Sequence, residues 1–314
     1  MTNSAFRLTA VGDHMRVPDG LTVIAVVNNK GGVGKTSISK TLAEYFACVK
    51  QVPTLAMDMD PQCNFSMRYL DMEPEDDPNG SFRPPLSPEF DPADPEMRSW
   101  SGRSSTADLF HSMDHGVIPY VTRYPQLEIV PGYGSKMRDV ELVRREEVEA
   151  AIVERTREFL WTREVAELYS VIVIDTPPAK SPITRSVLRA ATHLVMPTTM
   201  DDLGLEGIYG MLRYYQDERH RRGQQDTPLT LVGIIPNMLR RNTRQAREML
   251  ESLANPEYGL HEYTLNTGLG LRTAFGVVNS KGEQPESVFN LPPSDVARME
   301  ALAACEEIWS RING

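Results

Sequence analysis

"NNKGGVGKTS", residues 28–37, decides the fold. The phosphate-loop pattern G-x-x-x-x-G-K-[ST] would place glycine at position 29, but Asn29 stands there, followed by an extra lysine, Lys30, ahead of the pattern's own Lys35. The β-branched run "LTVIAVVNN" (21–29) precedes the loop, and "TSISKTLAEYFACVK" (36–50) follows it with Ile38, Leu42, Phe46 and Val49 at helical spacing. In the order strand, loop, helix, Gly31, Gly32 and Gly34 let successive backbone N–H groups point into one concavity, to which the helix adds its positive N-terminus. Lys35 is placed to neutralise phosphate charge, and the Thr36 hydroxyl to ligate Mg²⁺. The stretch Lys30, Gly31, Gly32, Val33, Gly34, Lys35, Thr36 and Ser37 therefore reads as a nucleoside triphosphate site.

Outward from the loop, strands alternate with helices. "PTLAMDMDPQCN" (53–64) reads as a strand delivering Asp58 and Asp60 before Pro61 stops it. "YSVIVIDTPPAK" (169–180) is a continuous apolar run of the buried parallel type, ended by Asp175 and two prolines. Further strands are expected at "THLVMPTT" (192–199) and "LTLVGIIPN" (229–237), and helices at 205–222, 243–254 and 294–312. This alternation predicts an α/β fold, a doubly wound, mostly parallel sheet with helices on both faces. Ligands would then sit beyond the carboxyl ends of the strands, where the loop, Asp60, Asp175 and Asn237 lie. Residues 137–168 read as one long charged helix, with Val140, Val143, Val148, Ile152, Phe159 and Leu160 for its buried stripe. Residues 71–105, dense in Pro, Asp, Glu and Ser, read as a surface insertion or flexible loop. The expected organisation is an N-terminal extension (1–20) and a single domain (21–314) carrying that insertion.

Composition limits the partners. The 314 residues are 40% hydrophobic and 24% charged, as in an ordinary globular protein. A formal net charge of -10 excludes a surface that is basic throughout, so contact with nucleic acid would need a local patch. "MLRRNTRQAREML" (238–250) offers Arg240, Arg241, Arg244 and Arg247, with 240, 244 and 247 on one face if helical. "RYYQDERHRRG" (213–223) offers Arg213, Arg219, Arg221 and Arg222; either run could instead be a solvated face. Cys48, Cys63 and Cys305 are scattered without C-x-x-C spacing, which indicates neither a disulfide framework nor a zinc site and points to the cytosol. No run approaches the ~20 apolar residues that span a bilayer.

Taken together, "KGGVGKT" (30–36), "MDMDPQCN" (57–64) and "VIVIDTPPA" (171–179), with "VMPTTMDDLGLEGI" (195–208) and "LVGIIPNML" (231–239) in the same order, resemble the ParA/MinD family of deviant Walker A ATPases. The resemblance covers about residues 21–70 and 106–312. It implies a P-loop NTPase of the SIMIBI, deviant Walker type that uses ATP and Mg²⁺ and closes into an ATP-bound homodimer. In that dimer Lys30 would reach the phosphates in the other subunit and act with Lys35 on the transferring phosphoryl group. Asp60 would orient the attacking water, Asp58 would help to place Lys35 or the hydrated metal, and Asp175 would hold Mg²⁺ through water beside Thr36. Asn237 would contact adenine. Either carboxylate of 58 and 60 could also be a plain strand cap. Cys63 stands where relatives often carry glycine.

Within this family the chain is most similar to ParA-type partition ATPases. That similarity implies a cytoplasmic, nucleoid-associated prokaryotic protein that binds DNA without sequence preference, with hydrolysis triggered by a cargo-bound partner protein. A MinD-like membrane ATPase would need a basic C-terminal helix, whereas "VARMEALAACEEIWSRI" (296–312) sets Arg298 and Arg311 against Glu300, Glu306 and Glu307, so no membrane partner is expected. An ATP-dependent metabolic enzyme of the same fold is the alternative of a different class; requirement for a small-molecule acceptor would distinguish it.

Overall fold

A computed structural model describes residues 16–111, 116–224, 226–240, 243–278 and 286–314. The strands are β1 (Thr22–Val26), β2 (Thr54–Asp58), β3 (Glu73–Pro74), β4 (Phe82–Arg83), β5 (Tyr120–Val121), β6 (Leu127–Val130), β7 (Val171–Asp175), β8 (His193–Thr199) and β9 (Thr230–Asn237). The α-helices are α1 (Lys35–Glu44), α2 (Gly134–Glu141), α3 (Glu146–Leu160), α4 (Arg163–Leu168), α5 (Pro182–Ala190), α6 (Asp202–Arg221), α7 (Arg244–Ala254), α8 (Thr273–Val278) and α9 (Val296–Asn313).

The main sheet has the order β5-β6-β2-β7-β1-β8-β9, parallel except for β5 against β6. Alternation along each strand divides the apolar residues between two cores. Val23, Ala25, Ile172 and Ile174 face a layer containing Met137, Ile152, Phe159, Ile183, Val187, Ile208 and Met211. Ile24, Val26, Val171 and Val173 face a layer containing Ile38, Leu42, Phe46, Ala301 and Ile308. Both faces are thus covered, and the central strands can be apolar throughout. From β1 the chain leaves on α1 toward β2, which lies beyond β7 on one side, while β8 on the other side of β1 is reached from β7 by way of α5; the carboxyl end of β1 is therefore a topological switch point.

The expected long helix over 137–168 is instead three helices, α2, α3 and α4. A straight helix of that length would extend about 48 Å, whereas strands of five to eight residues cover at most about 26 Å. The breaks fold the same residues back over one sheet face. Val140, Ile152, Phe159 and Leu160 are buried as expected, but Val148 is 42% exposed. The acidic insertion is ordered chain on the surface: β3 pairs antiparallel with β4, Phe90 and Trp100 stack edge to face, and Ser81, Ser87, Ser104 and Ser105 are buried.

Candidate functional site

The glycine loop lies at the end of β1. Gly32 and Gly34 have φ of +77° and +89°, the left-handed region open to glycine at little cost. Helix α1 begins at Lys35 with no side-chain cap and no acidic residue in its first turn, leaving its N–H groups for an anion. Asn237, at the end of β9, donates from Nδ2 to Val33 O at 2.8 Å, and a Cβ on Gly34 would lie 2.2 Å from that nitrogen. What the geometry assigns to Asn237 is support of the loop; its proposed adenine contact is a separate matter.

Lys35 and Asp175 meet beneath the loop. Lys35 is buried, and its Nζ donates to Lys30 O at 3.0 Å. Burial lowers its pKa, opposed by the nearby charges of Asp175 and Asp60. Asp175, fully buried at the end of β7, accepts from Thr36 Oγ1 at 2.7 Å and from Ser39 Oγ at 2.9 Å. Burial raises its pKa, and the two hydroxyls counter that rise. Ser39 is a partner that the sequence pattern does not single out, although it lies one helical turn after Lys35. A hydroxyl and a carboxylate are hard oxygen donors suited to Mg²⁺, which usually takes one or two protein oxygens and completes its shell from phosphates and water. No group of three or more His, Cys, Asp or Glu side chains that could hold a metal occurs among the described residues. The residues fit the ion: Thr36 would hold it directly and Asp175 through water.

Asp58 organises the neighbouring loop. Its Oδ2 accepts from Ser66 N at 2.8 Å and Ser66 Oγ at 2.6 Å, and its Oδ1 accepts from Asp60 N at 3.1 Å. Ser66 Oγ in turn accepts from Gly132 N, and Thr106 Oγ1 donates to Asp58 O. Burial, reinforced by the charge of Asp175, raises the Asp58 pKa. Asp58 is thus the anchor of residues 60–66 and has no direct bond to Lys35. Asp60, nearly buried, accepts from Gln62 N at 2.9 Å; burial raises its pKa and Lys35 opposes the rise. Ser66 and Thr106 carry no local motif, so the sequence alone does not mark them. Cys63 has φ of +55° and is fully buried, its Sγ 3.7 Å from Pro61 O. The position occupies a conformation glycine would take freely, with the thiol filling the space toward Gly132.

Lys30 is half-buried beside the loop, and its N–H donates to Asn28 Oδ1 at 2.9 Å. The arginine runs fare differently from each other. Arg222 is buried and donates to the carbonyls of Leu188, Arg189, Ala191 and Thr227 as well as to Glu218, so it closes the end of α5. It is not available to a ligand. Arg219 packs on the Tyr215 ring, 5.4 Å from its centroid. In the other run, Arg240 precedes α7 and does not share its helical face, a correction to the expected alignment; Arg244 and Arg247 lie in the helix, and all three are exposed. Arg244 pairs with Glu248 at 2.6 Å. Arg241 lies outside the described residues.

Residues 21–225 match the family model described as an AAA domain. The chain is 27% identical over 231 residues to the chromosome-partitioning ATPase Soj of Thermus thermophilus, covering 72% of this chain and 73% of Soj. To the chromosome partitioning protein ParA of Caulobacter vibrioides it is 25% identical, covering 71% and 72%. It spans about half, 46% and 45%, of the length of two relatives named for replication from Rhizobium rhizogenes and Sinorhizobium fredii. Among solved structures, the fold is shared with a Cyanothece McdA–ATP complex (TM-score 0.68, 14% identity, 94% of this chain and 98% of that one). It is also shared with a plasmid partition protein of Borrelia burgdorferi bound to AMPPNP (TM-score 0.62, 16% identity, 93% and 98%). The matched segment, with the parallel sheet and the loop at its switch point, establishes that the chain belongs to the AAA-domain family, in which it is similar to the partition ATPases Soj and ParA.

Proposed function

We propose that this protein is a Mg²⁺-dependent ATPase that dimerises on ATP, binds DNA without sequence preference and positions a cargo, with hydrolysis triggered by a partner protein on that cargo. The observation that carries this reading is the loop itself. Lys35 and Thr36 are tied to Asp175 at the switch point, and a second lysine, Lys30, stands half-exposed on the same loop. One lysine serves the phosphates from within; the other is free to reach across a dimer interface, where it stabilises developing phosphoryl charge as an arginine finger does. Without the anionic phosphates two such loops repel, which makes dimerisation depend on nucleotide. The resident ion, when bound, offsets phosphate charge; Asp60 orients the attacking water.

Exposed Arg240, Arg244 and Arg247 supply the DNA surface. Arg244 and Arg247 sit in the first turn of α7, which has no acidic residue there, so they oppose the helix dipole at a cost of about 0.3–1 kcal/mol each. A DNA phosphate at that helix end would be attracted to both the dipole and the arginines and so would offset this cost. Plasmid partition in Borrelia burgdorferi and chromosome partition in the Soj and ParA relatives are the kinds of work the comparison supports for this chain.

The test is a set of three variants. Lys35→Ala should weaken ATP binding by about 10- to 100-fold, the value of one charge-assisted hydrogen bond. Asp60→Ala should retain ATP and accumulate the dimer, and Lys30→Ala should bind ATP yet stay monomeric in light scattering. Equal loss of ATP binding in Lys35→Ala and Asp60→Ala would remove the role given to Asp60.

A further inference from the structure

We propose that Gly207 and Asn28 are positioning residues for Lys30, fixing the direction in which that lysine leaves the loop; the inference rests on the bridging role proposed for Lys30. Asn28 is 1% exposed, and its amide is held at both ends. Nδ2 donates to Pro197 O on β8 at 2.8 Å, and Oδ1 accepts from Lys30 N at 2.9 Å, in an Asx-type turn. The side chain therefore links the neighbouring strand to the lysine's own backbone. Gly207, buried on α6, closes the third side. A Cβ at this position would stand 2.5 Å from Asn28 Oδ1 and 3.2 Å from Lys30 Cβ. The amide cannot turn away from such a Cβ without giving up both hydrogen bonds, so any side chain at 207 must displace Asn28, Lys30 or both.

Gly210, one turn further along α6, provides an internal contrast. A Cβ there would lie 2.3 Å from Asn29 Nδ2, but among the described residues that amide has no hydrogen-bond partner and can swing aside. Close approach of α6 to residues 28–30 is thus strict at 207 and tolerant at 210. Lys35 stands at the first position of α1 with Asp175 opposite, and it meets Lys30 through the bond from its Nζ to the Lys30 backbone carbonyl rather than through Asn28 or Gly207. Displacing Asn28 therefore affects the lysine that leaves the loop more than the lysine that stays within it.

The experiment measures AMPPNP affinity, the dimer dissociation constant with AMPPNP and Mg²⁺ by sedimentation, and thermal melting for wild type, Lys30→Ala, Gly207→Ala, Asn28→Ala and Gly210→Ala. Gly207→Ala and Asn28→Ala should keep nucleotide affinity within about threefold. Both should weaken the dimer by about tenfold or more, as a misdirection of about 1 Å can do. Gly210→Ala should match wild type in both. The double variant Gly207→Ala/Asn28→Ala should be no weaker than either single one, because both act on one contact. If Gly207→Ala does not fold, Asn28→Ala decides alone. Wild-type dimerisation by Gly207→Ala and Asn28→Ala, with Lys30→Ala monomeric, overturns the positioning role, as does loss of nucleotide binding in either. Wild-type dimerisation by Lys30→Ala overturns the underlying role of the lysine itself.

Discussion

His193, at the start of β8, shows how single residues record their surroundings. Its Nδ1 lies 2.8 Å from Thr192 Oγ1, and burial pushes its pKa down from 6.5 to about 4. The folded state thus resists the proton that the unfolded chain accepts. This contribution to stability is complete above pH 6.5 and is lost as pH falls toward 4. By pH 5 the loss amounts to about 2 kcal/mol. Urea unfolding at pH 7.5 and pH 5 should show wild type losing that much more than His193→Gln; equal acid losses would mean the ring is hydrated in the folded protein. At this scale sequence legibility was uneven. Lys35, Thr36 and Asp175 could be read because a short motif and a strand end announce them. Asn28, Ser39 and Ser66 act through partners distant in sequence, Pro197, Asp175 and Gly132, which no local pattern displays.

Among the elements, β1, β2, β7, β8 and β9 were legible as apolar runs bounded by prolines, glycines or acidic residues. Strands β5 and β6, of two and four residues, were not, being too short to show a period. The breaks between α2, α3 and α4 leave no mark in the sequence, because charge and apolar spacing continue through them; what sets them is the extent of the sheet. The insertion gains meaning only in three dimensions. Glu75 accepts from Ser135 N and Oγ at 3.1 and 2.7 Å, Arg138 pairs with Asp77 at 2.9 Å, and a Cβ on Gly134 would meet Pro61 O and Ser81 Cβ, each at 3.0 Å. The β3–β4 hairpin therefore braces α2 beside the loop that carries Asp60. Glu75→Ala should raise amide exchange in residues 60–66 and 132–138 by on the order of tenfold, leaving α9 unchanged. Unchanged exchange in 60–66 would show that the hairpin does not restrain that loop.

For the whole molecule, the proposed function requires an acidic chain with net charge -10 to concentrate its DNA-binding charge in one patch, and duplication of that patch in the proposed ATP dimer would supply the avidity. No helix among the described residues is long and apolar enough to cross a membrane. Helix α9 buries Ala297, Ala301, Ala304, Cys305 and Ile308 in the core, so its apolar stripe is occupied. The most direct measurement is binding of two unrelated duplexes at low salt with ATP, with ADP and without nucleotide, for wild type and Arg240→Ala/Arg244→Ala. We expect wild type to bind both duplexes equally and only with ATP. For every DNA phosphate that the variant no longer neutralises, the slope of log affinity against log salt should flatten by ~0.9. Equal binding in all three nucleotide states, or none with ATP, would contradict a nucleotide-switched DNA-binding dimer.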